Sequence, residues 1–394
     1  MQSVDIVIIG GGMVGLSAAI GCARLGYQVV VVDQAKPPQA ASDVIANRVS
    51  AISAASQRWL TQLDSWAGIE AQRATAYQTM AVWQADQLGE LHMDANELGQ
   101  PALGHIVENQ VVTYALFQQA QQQTNLQLLY QSQCQQLHLN EREAWLALEG
   151  GQMIGAQLVI CADGANSWGR QQANLPLTFR DYGHHAIVAT VRTEQPHQHC
   201  ARQAFTAAGP LAFLPLHDEH LCSIVWSIPP AQAEQLMALP DDGFNRKLTA
   251  AFDAQLGLCR VEGERAAIPL TMRYARRWLK HRLVLMGDAA HTIHPLAGQG
   301  VNLGFADAAA FVAELAQLTE ASAESLDLGE QQHWRSYERQ RKTAAVEMIA
   351  AMEGIKQAFS LQASPLRGII GAGMNLVNQL SPVKNALVKK AMGL

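Results

Sequence analysis

The segment Val4-Asp5-Ile6-Val7-Ile8-Ile9-Gly10-Gly11-Gly12-Met13-Val14-Gly15 decides the fold of this 394-residue chain. Its first half is a largely apolar run, which is typical of a parallel strand buried on both faces. Its second half matches the G-x-G-x-x-G pattern, and residues 13–26 have the composition of a helix. A Val-rich second strand is predicted over residues 27–33. The N-terminus is therefore predicted to form a Rossmann-type βαβ unit that binds a dinucleotide.

The residues of this loop have separate predicted roles in cofactor binding. Gly10 permits the tight turn, Gly11 continues the loop, Gly12 lets a pyrophosphate approach the backbone, and Gly15 allows close packing of helix and sheet. The start of the helix then faces the negative charge of the phosphates. Asp33 ends the second strand 18 residues after Gly15, where its carboxylate is placed to accept a hydrogen bond from the adenosine ribose. A glycine turn without a ligand is the alternative, and the complete strand–loop–helix context disfavours it.

Two further acidic glycine turns follow predicted strands. Asp163-Gly164 comes directly after an apolar run over residues 158–162, so its carboxylate is placed to reach the crevice where cofactors bind in doubly wound folds. Taken alone, this pair is better explained as an ordinary Asx turn. Gly287-Asp288 ends a strand over residues 283–286, which places Asp288 where it could hold a ribityl hydroxyl of a flavin.

The loop after Asp288 is predicted to bind the flavin ring. Pro295 stiffens it, and Gly298-Gln299-Gly300 opens a helix whose bare N–H groups favour negative charge. Reduced flavin carries such charge at its N1/O2 edge. Three strand-end loops predict one long cofactor held at several points, and we therefore expect FAD rather than NAD. A plain glycine-rich helix start is the alternative explanation of the last loop.

Composition excludes several other classes of protein. The net charge of −6 argues against a nucleic-acid-binding protein, which would present a basic face. The six cysteines contain no C-x-x-C pair, a pattern that favours reduced thiols and a cytoplasmic protein. His291 and His294 lie three residues apart but lack a third ligand at suitable spacing, so we expect no metal site.

The expected fold class is α/β, with a Rossmann-like FAD-binding domain, an inserted antiparallel-sheet substrate domain and C-terminal helices. The inserted sheet is inferred from alternating apolar and polar residues over 185–193 and 211–228. The predicted boundaries give the FAD-binding domain residues 1–75, 106–180 and 276–350, the substrate domain residues 76–105 and 181–275, and the tail residues 351–394.

Several segments resemble bacterial ubiquinone-biosynthesis hydroxylases, which are class A flavoprotein monooxygenases. They are Gly104-His-Ile-Val-Glu-Asn, His184-His-Ala-Ile-Val-Ala-Thr-Val-Arg-Thr-Glu, Phe213-Leu-Pro-Leu, His220-Leu-Cys-Ser-Ile-Val-Trp-Ser and the run from Gly287 to Gly304, which includes Asn302. The resemblance covers essentially the whole chain. It implies that NADH or NADPH acts as a transient electron donor and that O2 forms a flavin C4a-hydroperoxide, which hydroxylates a polyprenylphenol.

The same resemblance extends the expected cofactor site. Arg48 matches a family arginine that lies near the ribityl chain and pyrophosphate, and Asn302 falls in the family's flavin loop. Asp33 stands where the family more often has glutamate. No catalytic base is identifiable from the sequence, because a general base is recognised by geometry first. A sister hydroxylase acting at another ring carbon, a flavin-dependent prenyl reductase and a non-catalytic FAD-binding assembly subunit remain alternatives.

The last 40 residues combine positive charge with an apolar helical face. No acid follows Glu353, but five basic residues do: Lys356, Arg367, Lys384, Lys389 and Lys390. One helical face carries Leu366, Ile369, Ile370, Met374, Val377 and Leu380. Such a tail could contact the inner membrane peripherally, associate with other ubiquinone-biosynthesis proteins, or pack on its own domain. These three alternatives stay open.

Overall fold

The structure is a computed structural model, and it describes residues 2–42, 44–84, 89–293, 300–321, 326–360 and 364–393. The strands, in chain order, are β1 Gln2–Ile9, β2 Val29–Val32, β3 Val49–Ile52, β4 Ala74–Tyr77, β5 Thr79–Gln84, β6 Glu90–Asp94, β7 Gly104–Glu108, β8 Leu126–Leu129, β9 Cys134–Leu139, β10 Ala144–Leu148, β11 Met153–Cys161, β12 Leu177–Thr193, β13 Cys200–Thr206, β14 Gly209–Pro215, β15 Leu221–Ile228, β16 Cys259–Ala275, β17 Leu279–Lys280, β18 Leu283–Leu285 and β19 His291–Thr292. The helices are α1 Met13–Arg24, α2 Ala54–Gln62, α3 Trp66–Arg73, α4 Asn109–Gln121, α5 Trp168–Gln172, α6 Pro230–Met237, α7 Asp241–Ala251, α8 Gly300–Ala321, α9 Arg335–Ser360, α10 Ser364–Gln379 and α11 Ser381–Met392.

The first sheet is the predicted Rossmann-like sheet. Its order is β17-β18-β11-β1-β2-β8, and β1, β2, β8, β11 and β18 run parallel. The four valines of β2 are all buried, as expected for a central parallel strand covered on both faces. Helices α1, α4 and α8 pack together over this sheet. The parallel strands therefore end at one edge, where the cofactor loops follow them.

The second sheet is almost entirely antiparallel, with the order β19-β16-β12-β15-β14-β13-β5-β6. On one side of it, alternate residues of β12 and β15 pack against Phe244 and Leu248 of α7. The period-two alternation over 185–193 and 211–228 thus predicted the sheet correctly, because every second residue of these strands is buried under α7. The pair β5–β13 is parallel. Strands of this sheet come from residues 79–94, 177–228, 259–275 and 291–292; the predicted domain boundaries stay a prediction.

A small third sheet joins the two larger ones. Its order is β3-β7-β4. Ala51 of β3 and Ile106 of β7 belong to one apolar cluster with Ala212, Leu214 and Leu221 of the second sheet. The side of the second sheet that faces away from α7 therefore packs against β3 and β7 of this third sheet.

The described part of the C-terminal tail packs on its own chain. The side-chain oxygens of Asn375 and Asn378 accept hydrogen bonds from the backbone N–H groups of Glu90 and His92, at 3.0 and 3.1 Å. Lys384 is buried and forms a 2.9 Å ion pair with Glu97. One of the five basic residues of the tail is therefore neutralised inside the molecule.

Helix α8 is the one described helix that is long and apolar enough to cross a membrane by length and composition. It packs against α1, α2 and α9, and it carries the fully buried Asp307.

Candidate cofactor site

The glycine loop after β1 has the steric properties that the sequence predicts. Gly10 has a φ of +109°, and a Cβ there would lie 2.4 Å from the Ala162 carbonyl oxygen. A Cβ on Gly15 would lie 1.9 Å from the Gly10 carbonyl oxygen, so α1 approaches the loop too closely for any side chain. A Cβ on Gly12, in contrast, meets no atom within 4 Å. Gly12 therefore borders open space at the start of α1, where a phosphate group fits.

Asp33 and Tyr130 hold this loop from the neighbouring strand ends. The Asp33 carboxylate accepts hydrogen bonds from the backbone N–H groups of Gly11, at 2.6 Å, and Ala35, at 2.7 Å. The Tyr130 hydroxyl donates to the Gly11 carbonyl at 3.0 Å. Burial, together with the Asp33 charge, raises the pKa of Tyr130, so the phenol stays a donor at neutral pH.

Tyr130 was missed by the sequence reasoning, although a signal for it exists. It directly follows β8, which pairs in parallel with β2. A residue at that position lies at the same sheet edge as Gly11 and Asp33. A Cβ on Gly11 would lie 2.7 Å from the Tyr130 hydroxyl, which explains why glycine is needed there.

Asp163 lies at the predicted strand end, but its carboxylate turns back toward its own loop. One oxygen accepts from Ser167 Oγ at 2.5 Å, and the other accepts from the Gly169 N–H at 3.0 Å. Burial raises the pKa of Asp163, and these hydrogen bonds oppose the rise. Gly164 adopts a left-handed φ of +81° within the turn. The carboxylate therefore accepts from an N–H of the first turn of α5, whose N-cap is Ser167, and the backbone of Ala162 and Asp163 lies against Gly10.

Arg170, a further residue that sequence reasoning missed, ties this loop to the Gly287 turn. Its buried guanidinium donates to the carbonyls of Ala165, at 3.0 Å, and Ala289, at 2.8 Å. The two acidic glycine turns are therefore fixed relative to one another by one side chain.

The Gly287-Asp288 turn places a carboxylate in the cleft among positive charges. Gly287 has a φ of +58°, in the left-handed region that favours glycine. Asp288 is exposed in the cleft, and the protein packed around its carboxyl raises its pKa. The positive charges of His291, Arg48 and Arg273 act in the opposite direction. Arg48 therefore lies near enough to act electrostatically on Asp288.

A buried ionic network lies directly behind this turn. Asp307 Oδ2 accepts from the Gly287 N–H at 3.0 Å and lies 2.5 Å from His291 Nε2. Asp307 Oδ1 accepts from Arg341 Nε at 2.7 Å. Burial works to raise the pKa of Asp307, but the charges and hydrogen bonds of His291 and Arg341 outweigh it and lower the pKa. The carboxylate is therefore ionised at neutral pH.

The helix that follows the flavin loop begins at Gly300, as predicted. The Asn302 amide accepts from the Ser53 N–H at 3.0 Å and donates to the Ala51 carbonyl at 2.7 Å. Its side chain therefore links α8 to the end of β3. The predicted positions Pro295, Gly298 and Gln299, and also His294, lie outside the described residues.

His291, the residue of the histidine pair that the structure describes, has a structural explanation. His291 is buried, pairs with Asp307 and lies 5.1 Å from the Trp278 ring, centroid to centroid. Among the residues that the structure describes, no group of three or more His, Cys, Asp or Glu side chains could hold a metal ion.

An apolar surface of the second sheet begins beside this cleft. Met272 and Leu270 of β16 cluster with Ala186 of β12 and Val225 of β15. Val225 also packs against the cluster that contains Leu214, so the two clusters form one continuous apolar side. Met272 directly precedes Arg273, whose charge acts on Asp288. Met272 is partly exposed, so an apolar side chain lies next to the polar cleft, while Leu270, Ala186 and Leu214 are buried.

Comparison with known proteins agrees with this geometry. The model of the FAD binding domain family matches residues 3–351. The chain is 35% identical to the 3-demethoxyubiquinol 3-hydroxylase of Escherichia coli, over 100% of this chain and 99% of that protein. It is 33% identical to the ubiquinone hydroxylase UbiL of Rhodospirillum rubrum, over 99% and 89%. It is 32% identical to the mitochondrial ubiquinone biosynthesis monooxygenase COQ6 of Xenopus tropicalis, over 98% and 92%.

Solved structures share the fold at much lower identity. The p-nitrophenol 4-monooxygenase PnpA of Pseudomonas putida superposes with a TM-score of 0.80 at 18% identity, over 99% of this chain and 98% of that one. PqsL of P. aeruginosa gives a TM-score of 0.78 at 19% identity, over 95% and 99%. At these identities the likeness establishes the fold alone, and the predicted fold class is confirmed.

Proposed function

Because this chain belongs to the family of FAD-dependent monooxygenases that act in ubiquinone biosynthesis, we propose that its substrate is a polyprenylphenol. The chain is an NAD(P)H-using aromatic hydroxylase with FAD as cofactor. The proposed reaction is the first ring hydroxylation after decarboxylation, as the resemblance of its segments implies.

The described residues fit the proposed cofactor. Open space at Gly12 would receive the pyrophosphate, and Asp33 would accept from the adenosine ribose with the lone pairs that Gly11 and Ala35 leave free. Arg48 and Asp288 would face the pyrophosphate and ribityl chain. FAD, when bound, accepts a hydride from NAD(P)H and activates O2 for transfer of one oxygen atom to the ring. The protein contributes the binding, the orientation and the exclusion of water.

Identities of 35%, 32% and 33% to three enzymes named for ubiquinone hydroxylation or biosynthesis, over nearly the whole chain, are the observation that carries the substrate proposal. The apolar side of the second sheet near the cleft is consistent with it. Met272 and Val225 are its partly exposed members, whereas Leu270 and Leu214 on the same side are buried. A substrate with an aromatic head and a long hydrocarbon chain matches this arrangement, because burying each CH2 group contributes about 0.8 kcal/mol.

Quinone-intermediate profiling in a strain that lacks the gene tests the proposal. We expect the unhydroxylated polyprenylphenol to accumulate, and label from 18O2 to appear in the product after the gene is restored. Unchanged quinone levels in a strain without a compensating isozyme would refute the assignment to this substrate. A reductase would incorporate no label, and a non-catalytic assembly subunit would still support hydroxylation after its FAD site is disabled.

A second candidate is hydroxylation at another ring carbon of a later intermediate. It is favoured by the 35% identity, over nearly the full length of both chains, to a protein named 3-demethoxyubiquinol 3-hydroxylase. The same profiling separates the two candidates, because this one predicts that a methoxylated intermediate accumulates in the deletion strain.

We also propose that the tail contacts anionic membrane while α10 stays on its sheet. Leu376 and Leu380 are 56% and 44% exposed, and Lys389 is exposed nearby. Sedimentation with vesicles that contain anionic lipid tests the contact. We expect Leu376→Glu with Leu380→Glu to reduce binding, and Leu258→Glu, at a site 59% exposed directly before β16, to leave it unchanged. Equal binding of all three proteins would contradict this proposal and favour a protein partner.

A further inference from the structure

We propose that Asp307, His291 and Arg341 are positioning residues that hold the Gly287-Asp288 turn ready for the flavin cofactor. The inference rests on FAD binding and is independent of the ring substrate. None of the three side chains was predicted to take part in cofactor binding. All three are buried behind the cleft, so they act through the turn and not by touching the cofactor.

One carboxylate connects three elements that border the cofactor cleft. Asp307 lies two turns inside α8, whose first residue, Gly300, is predicted to face the flavin. It bonds the backbone of Gly287, and it pairs with His291 at the start of β19. A displacement of Asp307 therefore moves the turn, the helix start and the segment that leads into the flavin loop together.

Arg341 locks the same carboxylate from the C-terminal side. Its Nε donates to Asp307 Oδ1 at 2.7 Å, and its Nη2 donates to the Leu303 carbonyl at 3.2 Å. Leu303 belongs to the first turn of α8. The single guanidinium of Arg341 thus holds both the first turn of α8 and the carboxylate of Asp307. Because Arg341 belongs to α9, this helix stabilises the cofactor cleft from outside it.

The burial of this network argues that it has a role beyond stability. Asp307 is fully buried and His291 is 1% exposed. Removing such groups from water costs free energy that their pairing only partly recovers, and apolar residues often replace buried ion pairs without loss of stability. A left-handed turn at Gly287, however, needs an acceptor for its N–H at a fixed position. An ionised carboxylate held by two partners provides one.

The choice of variants follows from which atom donates and which accepts in the hydrogen bond between His291 and Asp307. Since the ionised carboxylate only accepts, His291 Nε2 must carry the donated hydrogen. A glutamine side chain offers an N–H donor at a similar reach, whereas leucine offers none. His291→Gln and Arg341→Lys are therefore the conservative changes, and His291→Leu and Arg341→Met are the disruptive ones.

A matched control exists in the same domain. Arg282 is 1% exposed and pairs with Asp327 at 2.7 Å. It otherwise bonds the backbones of Asn140, Glu141 and Gln157, none of which belongs to the cofactor loops. Asp327→Asn disrupts a comparably buried arginine without touching the Gly287 turn.

The experiment titrates each purified apo-protein with FAD and records the melting temperature of the same sample. We expect His291→Leu and Arg341→Met to raise the FAD dissociation constant at least tenfold, and the conservative variants to stay within about threefold of wild type. Asp327→Asn should lower the melting temperature with an unchanged dissociation constant. The proposal fails if the disruptive variants lose melting temperature as Asp327→Asn does but keep wild-type FAD affinity.

A fallback titration and the choice of FAD affinity as the measurement separate this test from other failures. If the disruptive variants do not fold, the conservative pair and Asp307→Asn are titrated instead, and wild-type affinity in Asp307→Asn overturns the proposal. Because the measurement is FAD affinity, a failure of the substrate assignment in the deletion strain leaves it untouched.

Discussion

Replacing Gly12 with valine should separate cofactor binding from folding. Gly12 has a φ of −83° and a ψ of −173°, an extended conformation open to any residue. A Cβ there meets no atom within 4 Å, so the apo-protein has room for the side chain. A Cβ at Gly15 would instead lie 1.9 Å from the Gly10 carbonyl oxygen, so Gly15→Val should fail to fold.

The expected loss of FAD affinity is large. The valine side chain would occupy the space at the start of α1 that the pyrophosphate needs. The hydrogen bonds from the backbone N–H groups of the loop to the pyrophosphate would then not form. Hydrogen bonds to a charged group contribute about 1.5–3 kcal/mol each. The loss of two such bonds raises the FAD dissociation constant by about 10²- to 10⁴-fold. The exchange of glycine for valine at the N-cap should cost stability only about 1 kcal/mol.

FAD titration and thermal melting of the apo-protein measure the two effects separately. Wild type should melt at a higher temperature in saturating FAD, because the ligand binds only the native state. Gly12→Val should show no such increase, although its apo melting temperature stays close to that of wild type. Gly68→Ala is the matched control, since its added methyl group makes an ordinary contact 3.6 Å from Ala115. Wild-type FAD affinity in folded Gly12→Val would refute the assignment of this loop to the pyrophosphate.

Three further predictions follow from the described contacts. Asp288→Ala should weaken FAD binding by about 1–3 kcal/mol, the cost of leaving one hydrogen-bonding group without its partner, and titration of the apo-protein with FAD measures it. Tyr130→Phe removes the hydrogen bond to the Gly11 carbonyl and should lower the free energy of unfolding by about 0.5–1.5 kcal/mol; a urea titration showing no change would contradict this. Asp307 has a pKa lowered below its unfolded value of about 3.9, so its contribution to stability is full above that value and is lost as the pH falls through the folded-state pKa. Urea midpoints between pH 7 and pH 3 should therefore fall less steeply for Asp307→Asn than for wild type.

Local steric rules made the glycine loop predictable. The roles of Gly10 and Gly15 depend on backbone close to them in sequence and on the neighbouring strand end, so a motif with the right flanks predicts them. The alternation over 185–193 predicted the antiparallel sheet for a similar reason, since burial under α7 imposes a period of two. The parallel pairing of β5 with β13 leaves no such periodic signal, because it depends on contacts between distant segments.

Side-chain direction was much less predictable than position. Asp163 follows its strand as expected, and nearby donors at Ser167 and Gly169 bond its carboxylate within its own loop. Asn302 likewise bonds β3 through its side chain. The partners of Asp307 come from residues 16 and 34 positions along the chain, a separation at which no motif spacing operates.

The two asparagines of α10 also protect the molecule from its own copies. β6 is the outer strand of the second sheet, and an uncovered outer strand offers free N–H and C=O groups to any other strand. Asn375 and Asn378 occupy two of those N–H groups and place a helix across the approach. A chain shortened before Ser364 would expose this strand, and such chains should aggregate by strand addition even with the cofactor cleft intact.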